Sequence, residues 1–390
     1  MRRPKLPNKR QKILIVFGTR PEAIKMAPLI HGLKKLPEEF EVIVCVTAQH
    51  RQMLDQALSF FGIEPNIDLN LMKPGQTVSG LLASALSAIS EVITSYHPDI
   101  LLVHGDTSTT LAASMAGFFA GVPIGHVEAG LRTYRMMEPF PEEFNRQVVS
   151  KMARWNFAPT EGNRQNLLKE SFADSSITVT GNTVIDALFL ALKQIDLDAE
   201  KTAEITKHLS DELAFDWRRE RFALVTGHRR ENFGDGIKQI CEAIAVLAKD
   251  YPRVHFVYPV HLNPQIQKPV HDLLNNYSNI HLIDPLGYPE FVYLMKHSHI
   301  VLTDSGGIQE EAPSLGKPVL VMRDVSERPE AISFGTVKLV GTRADVIIQG
   351  VKELLDNESV YEKMAKQTNP YGDGQACSRI IDVLRGMHAA

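Results

Sequence analysis

The 390 residues include 42 Lys and Arg against 46 Asp and Glu, a formal net charge of -4, with 44% hydrophobic and 23% charged residues. This is the balance of a globular chain rather than a disordered one, and it argues against a nucleic-acid partner, which would call for a basic excess. The length exceeds one ordinary core and fits two α/β domains of about 150–200 residues, hence a cleft.

Residues 1–11 are a basic tail; the apolar run after it, Ile13 to Phe17, is too short for a signal-peptide core. Then short β-branched runs alternate with helical patterns. KILIVF precedes a helix near Ala23 to Lys35, and EVIVCVT one near Arg51 to Phe61. A helix over Val78 to Tyr96 leads to the strand DILLVHG, a small-residue helix at Thr109 to Ala120, and the strands VPIGHVE and SITVTG. This rhythm predicts βαβ units and a parallel sheet. After a polar helical stretch around Asp196 to Arg221 the pattern restarts with FALVTGH, VHFVYPV, IHLID, HIVLTDS, KPVLVM and TVKLVG. Gly372 to Gly374 break the chain before a last amphipathic helix, Ala376 to Arg385, expected to return to the first domain. The expected division is residues 12–183 with 376–390 as one Rossmann-like domain and 184–375 as the other.

Cys45, Cys241 and Cys377 are widely spaced in apolar segments, which predicts no disulfide framework and a reducing compartment, the cytoplasm. No His spacing suits a metal, and no run of about 20 apolar residues suggests a membrane span. Asp196-Leu197-Asp198 matches a D-x-D metal pattern but lies in a helical stretch, where a structural role is expected.

In open α/β sheets ligands bind beyond the carboxyl ends of strands, so the residues after each strand carry the functional reading. Gly18-Thr19-Arg20-Pro21-Glu22 lacks the G-x-G-x-x-G of a dinucleotide site, which disfavours tightly bound NAD. Arg20 and Lys25 could hold phosphate oxygens at the helix start, or be ordinary surface cations. Asp106 or a neighbouring Thr could cap a helix, and Glu142 could serve the dipole of another. Yet Asp106, Glu128 and Glu142 lie at three strand ends or helix starts, and such a cluster raises carboxyl pKa values in the way acid–base catalysis needs. In the second half, His228 follows a strand and precedes two Arg, a proton-transfer group or part of a basic patch. Ser305, Gly306 and Gly307 bare backbone N–H groups at a helix start, where a pyrophosphate would fit. Glu311, one turn on, suits ribose hydroxyls, and Pro313 predicts that this helix is short or bent.

FGTRPEAIKMAPL, HGDTSTTLAA, HVEAGLRT, PFPEEFNRQ, TGHRRENFG, PVHLNP, DSGGIQEEAPSLGKPVL and SERPEA resemble the non-hydrolysing UDP-N-acetylglucosamine 2-epimerases of bacteria, from about Lys12 to the final helix. The resemblance implies a GT-B fold, usually a homodimer, and reversible epimerisation at C2 by elimination of UDP to 2-acetamidoglucal and re-addition. The product would serve cell-envelope polysaccharides, and neither NAD nor metal would be needed. Asp106, Glu128 and Glu142 would be the acids and bases, with no face assigned to each, and His228 would act near the leaving pyrophosphate. Arg20, Lys25 and Arg328 would grip phosphate, Ser305 to Gly307 would donate amides, Glu311 would take the ribose and Phe291 would wall the uracil. Gln49, Gln52 and His261 resemble part of a second, activating substrate site. Two rival enzymes share this pattern in part: a GT-B glycosyltransferase using a UDP-sugar donor, and a hydrolysing epimerase releasing N-acetylmannosamine. A non-catalytic nucleotide-sugar sensor is the third alternative.

Overall fold

Strands apolar on both faces belong to parallel sheets covered by helices on each side, and two such sheets organise the chain. The structure, a computed structural model, describes residues 10–48, 51–72, 75–325 and 328–386. It divides into two compact units, Met1–Ala187 with Tyr371–Ala390, and Leu188–Pro370.

In the first unit β1 (Gln11–Phe17), β2 (Phe40–Val46), β3 (Ile67–Asp68), β4 (Ile100–His104), β5 (Ile124–Val127), β6 (Trp155–Ala158) and β7 (Ile177–Val179) form one sheet, ordered β3-β2-β1-β4-β5-β6-β7. In the second, β8 (Phe222–Thr226), β9 (His255–Pro259), β10 (Ile280–Ile283), β11 (Ile300–Thr303), β12 (Val319–Val321) and β13 (Val337–Leu339) are ordered β10-β9-β8-β11-β12-β13. Every pairing is parallel. Both are therefore Rossmann-like, as the alternation of runs predicts. The strand order reverses between β1 and β4, and again between β8 and β11, and those are the points where such sheets bind ligands.

Two strands escaped the sequence reading. β3 has two residues, too few to alternate, and β6 starts three residues after the end of the helix Glu142–Met152, with no Gly or Pro between to mark the turn. A second correction concerns membrane spans. The helix Val78–Tyr96 is, by length and composition, apolar enough to cross a bilayer. It instead buries Ala85, Ile89, Val92 and Ile93 against the first sheet, while Ser84, Ser87, Glu91, Thr94 and Ser95 face outward.

The last helix, Ala376–Gly386, packs on the helix Arg20–Lys34, and the side chain of Ile381 lies where a Cβ on Gly32 would sit. Asp186 fixes its start by accepting from the N–H groups of Ala376 (3.1 Å) and Cys377 (2.9 Å). The D-x-D pair is structural, as expected: Asp198 caps the helix Ala199–Glu212 and Asp196 pairs with Lys296 at 2.9 Å.

Candidate active site

In the first unit the loops after β1 and β4 are locked together by one buried carboxylate. Thr19 caps the helix Arg20–Lys34, and Glu22 turns back to complete a capping box. The Glu22 carboxylate accepts from Gly18 N (3.0 Å), Thr19 N (2.8 Å), Thr107 Oγ1 (2.8 Å) and Thr110 Oγ1 (3.1 Å). Burial pushes its pKa up, and the hydrogen bonds from Thr107, Thr19 and Gly18 pull against that. Gly18 fits here because a Cβ would collide with the hydroxyls of Thr47 and Thr109 at 2.2 and 2.6 Å.

That clamp aims the residue after β4. Thr107, not Asp106, caps the helix Ser108–Phe119, which leaves the Asp106 carboxylate to other partners. Arg146, from the helix Glu142–Met152, reaches Asp106 at 2.5 Å, and the Asn145 amide donates to the Asp106 carbonyl at 2.8 Å. Asp106 nevertheless has a pKa raised to about 6. Burial is the main cause; Arg146 and Lys25 pull down, while Glu128 and Glu142 push up. The three predicted carboxylates thus share one electrostatic neighbourhood.

Glu128 follows β5 with φ at +66°, a left-handed conformation that a residue with a side chain adopts only at some cost. The turn aims its carboxylate at Lys25, with which it is ion-paired, and brings His104 Nε2 to 3.6 Å from Oε2. Glu142 opens its helix, partly exposed, and its neighbour Glu143 is buried and accepts from Thr133 N (3.0 Å) and Tyr134 N (3.1 Å).

In the second unit Asp304, fully buried, organises the loop after β8. It accepts from His228 N (2.9 Å), Arg229 N (2.9 Å) and Asn232 Nδ2 (3.0 Å), and lies 3.5 Å from His228 Nδ1. The His228 imidazole is half exposed and stacks on His261 with centroids 5.7 Å apart. Its pKa is lowered by burial first and by His261 and Arg229, against the pull of Asp304. Ser305 precedes the short helix Gly306–Glu311, which continues as the 3-10 turn Ala312–Leu315, so Pro313 ends it as predicted. Gly306 admits the Arg328 guanidinium, whose Nη1 lies 2.4 Å from where a Cβ would be; Arg328 Nε donates to Glu310 at 2.7 Å. A cation, backbone N–H groups at a helix start and a missing side chain are the features an anion site uses, although here the Arg328 guanidinium is paired with Glu310. Glu311 accepts from the Tyr288 hydroxyl at 2.8 Å, and Phe291 sits half-buried on the helix Tyr288–His297, which carries that tyrosine.

Arg20 opens its helix half-buried, whereas Lys25, expected on phosphate, is engaged with Glu128. Gln52 is exposed in the helix Arg51–Phe60, and Gln49 lies outside the described residues. Sequence reasoning passed over Glu22, His104, Arg146 and Asp304. Their signal was present: each is an ionisable residue at a strand end or in the first turns of a helix flanking a named loop.

The family model described as UDP-N-acetylglucosamine 2-epimerase matches residues 33–385. The chain is 54% identical to the UDP-N-acetylglucosamine 2-epimerase of Yersinia pestis and 53% identical to that of Escherichia coli. Each alignment covers 96% of this chain and 98% of the relative. The crystal structure of the Neisseria meningitidis UDP-GlcNAc 2-epimerase bound to UDP-GlcNAc is 51% identical, with a TM-score of 0.87 over 96% of this chain and 100% of that one. The Methanocaldococcus jannaschii UDP-GlcNAc 2-epimerase, in complex with UDP-GlcNAc and UDP, is 31% identical with a TM-score of 0.77, over 96% of this chain and 100% of that one. A glycosyltransferase from Rickettsia africae, 14% identical with a TM-score of 0.64 over 97% of this chain and 98% of that one, shares the fold alone. The two Rossmann-like units make the GT-B architecture expected from the motifs.

Proposed function

Because the chain belongs to the UDP-N-acetylglucosamine 2-epimerase family and is an isomerase of UDP-GlcNAc, we propose that it inverts C2 by eliminating and re-adding UDP. A carboxylate removes the C2 proton as the C1–O bond breaks. UDP leaves with the bonding pair, and 2-acetamidoglucal carries the new C1–C2 double bond. A second carboxylic acid then protonates C2 from the opposite face while a UDP oxygen returns to C1. The shared field of Asp106, Glu128 and Glu142 carries this reading: a pKa of about 6 on Asp106 lets one group trade a proton near neutrality.

His228, oriented by Asp304, meets the departing phosphate. Ser305 to Gly307 with Arg328 hold the pyrophosphate, Glu311 and Tyr288 the ribose, and Phe291 the uracil. Arg20 supplies a further phosphate contact, and Lys25 turns to phosphate from its ion pair. The reaction needs neither NAD nor metal, in keeping with the run Gly18-Thr19-Arg20-Pro21-Glu22 after β1. The protein works as a cytoplasmic homodimer supplying cell-envelope precursors, with Gln49, Gln52 and His261 contacting an activating second nucleotide sugar.

UDP-GlcNAc labelled with 18O between C1 and the β-phosphorus, incubated in heavy water without acceptor, tests the chemistry. Elimination predicts one deuterium at C2 and 18O scrambled into the non-bridging β-phosphate positions. Exchange at C2 with the label still wholly bridging would rule the route out, and release of free N-acetylmannosamine would favour the hydrolytic rival.

A further inference from the structure

His104 ends β4 directly beneath the carboxylate cluster, and the proposed chemistry leaves it unused. Its ring is buried, and among the described residues neither ring nitrogen meets a hydrogen-bond partner in another residue. An imidazole buried in that way costs free energy comparable to a lost hydrogen bond, so its retention calls for a second state in which it is satisfied. The groups facing it are Glu128 from the turn after β5, Lys25 from the helix Arg20–Lys34, and His126 from β5. His126 is occupied elsewhere, with Nε2 on the Gly105 carbonyl at 2.7 Å. The Glu128 oxygen 3.6 Å away is the one that takes Lys25, so it is already served while that ion pair lasts.

We propose that His104 is a positioning residue for Glu128, a neutral imidazole that donates Nε2–H to Oε2 when Lys25 turns to the phosphates of the substrate. This inference rests on the acid–base role of Glu128 argued above. The proton stays on His104 throughout, and only the hydrogen bond forms and breaks. Burial holds the ring neutral, with its pKa pushed down to about 4; Glu128 pulls it up and Lys25 pushes it further down. Neutrality matters: a full cation left against Glu128 lowers its basicity by about 1–3 pKa units, whereas a neutral donor orients it at smaller cost. Without His104, the departing ammonium would take one partner from the Glu128 carboxylate and β4 would offer nothing in its place.

The test compares His104→Leu, which removes the donor, with His104→Gln, which restores an N–H at similar reach, and with Glu128→Gln. For His104→Leu we expect kcat to fall about 10- to 100-fold, the effect of losing one hydrogen bond to a charged group. KM for UDP-GlcNAc should change less than about 3-fold. A limb of its kcat–pH profile should move to higher pH, because the anionic carboxylate has lost a donor. His104→Gln should recover most of kcat and the wild-type profile, with thermal melting confirming that both variants fold. Wild-type kcat and profile in His104→Leu, alongside an inactive Glu128→Gln, would overturn this inference alone. Equal losses in both His104 variants would likewise overturn it, since a purely structural role predicts no rescue. An active Glu128→Gln would instead remove the reading on which it rests.

Discussion

Asp106 shows how two opposing effects on one carboxyl are decided. Burial outweighs the Arg146 contact at 2.5 Å, and with Glu128 and Glu142 nearby the balance comes to rest at about 6 instead of 3.8. The sign follows directly: above pH 6 Asp106 is the carboxylate, and below it the acid. Turnover measured against pH should therefore decline as the solution is acidified through about 6, where an ordinary aspartate would hold to about 4. Arg146→Gln removes the strongest downward pull and should shift that limb to higher pH, with kcat falling at pH 7. An unchanged limb would separate Asp106 from the rate. The position of Asp106 after a strand was legible, since open α/β sheets present candidate ligand-facing residues beyond their strand ends. The partners that tune it were not, because Arg146 is 40 residues from Asp106 and nothing in the local pattern of the helix Glu142–Met152 says which of its faces meets the loop after β4.

At the scale of elements, Glu22 sets the geometry. It joins the start of the helix Arg20–Lys34 to the start of the helix Ser108–Phe119 through Thr107 and Thr110, and so fixes the loop that ends in Asp106. Glu22→Ala should cost about 3 kcal/mol or more in urea unfolding, by orphaning several donors to a charged acceptor. It should also lower kcat more than KM, and Glu22→Gln should do less of both. Loss of stability with unchanged turnover would show that the clamp holds the fold without serving the site. The capping box itself could be read from Thr19 and Glu22. The reach to Thr107, 85 residues on, could not, because a cap and a long-range clamp use the same residue and only tertiary packing adds the second job. Elements of four or more apolar residues bounded by polar turns were read well, and β3 and β6 fell below that threshold of length or punctuation.

For the molecule as a whole, the alternation of strand and helix patterns was enough to give two parallel sheets, because each strand must be buried on both faces. The last helix was legible as an amphipathic segment after Gly372 to Gly374, while its return to the first domain was an expectation its own residues do not carry. Its docking site on the helix Arg20–Lys34 depended on Asp186 and Gly32, which carry no signal of their own. Ile380, Ile381 and Leu384 are buried there, and at about 1.5–3 kcal/mol each they stabilise the first unit by on the order of 5 kcal/mol. Ending the chain after Pro370 should speed amide hydrogen exchange throughout the first sheet while leaving the strands β8 to β13 protected. Uniform loss in both sheets would mean that the units unfold as one.

The second unit is spliced into the covalent path of the first, which the chain leaves once after Ala187 and re-enters once before Tyr371. Such a segment is a cassette with two seams. On the roles proposed above, exchanging residues 188–370 for the matching stretch of a relative with another nucleotide preference should change which base is recognised while leaving Asp106, Glu128 and Glu142 on the unit that carries them, a route by which evolution or a designer could re-address the proposed proton chemistry to a different activated sugar.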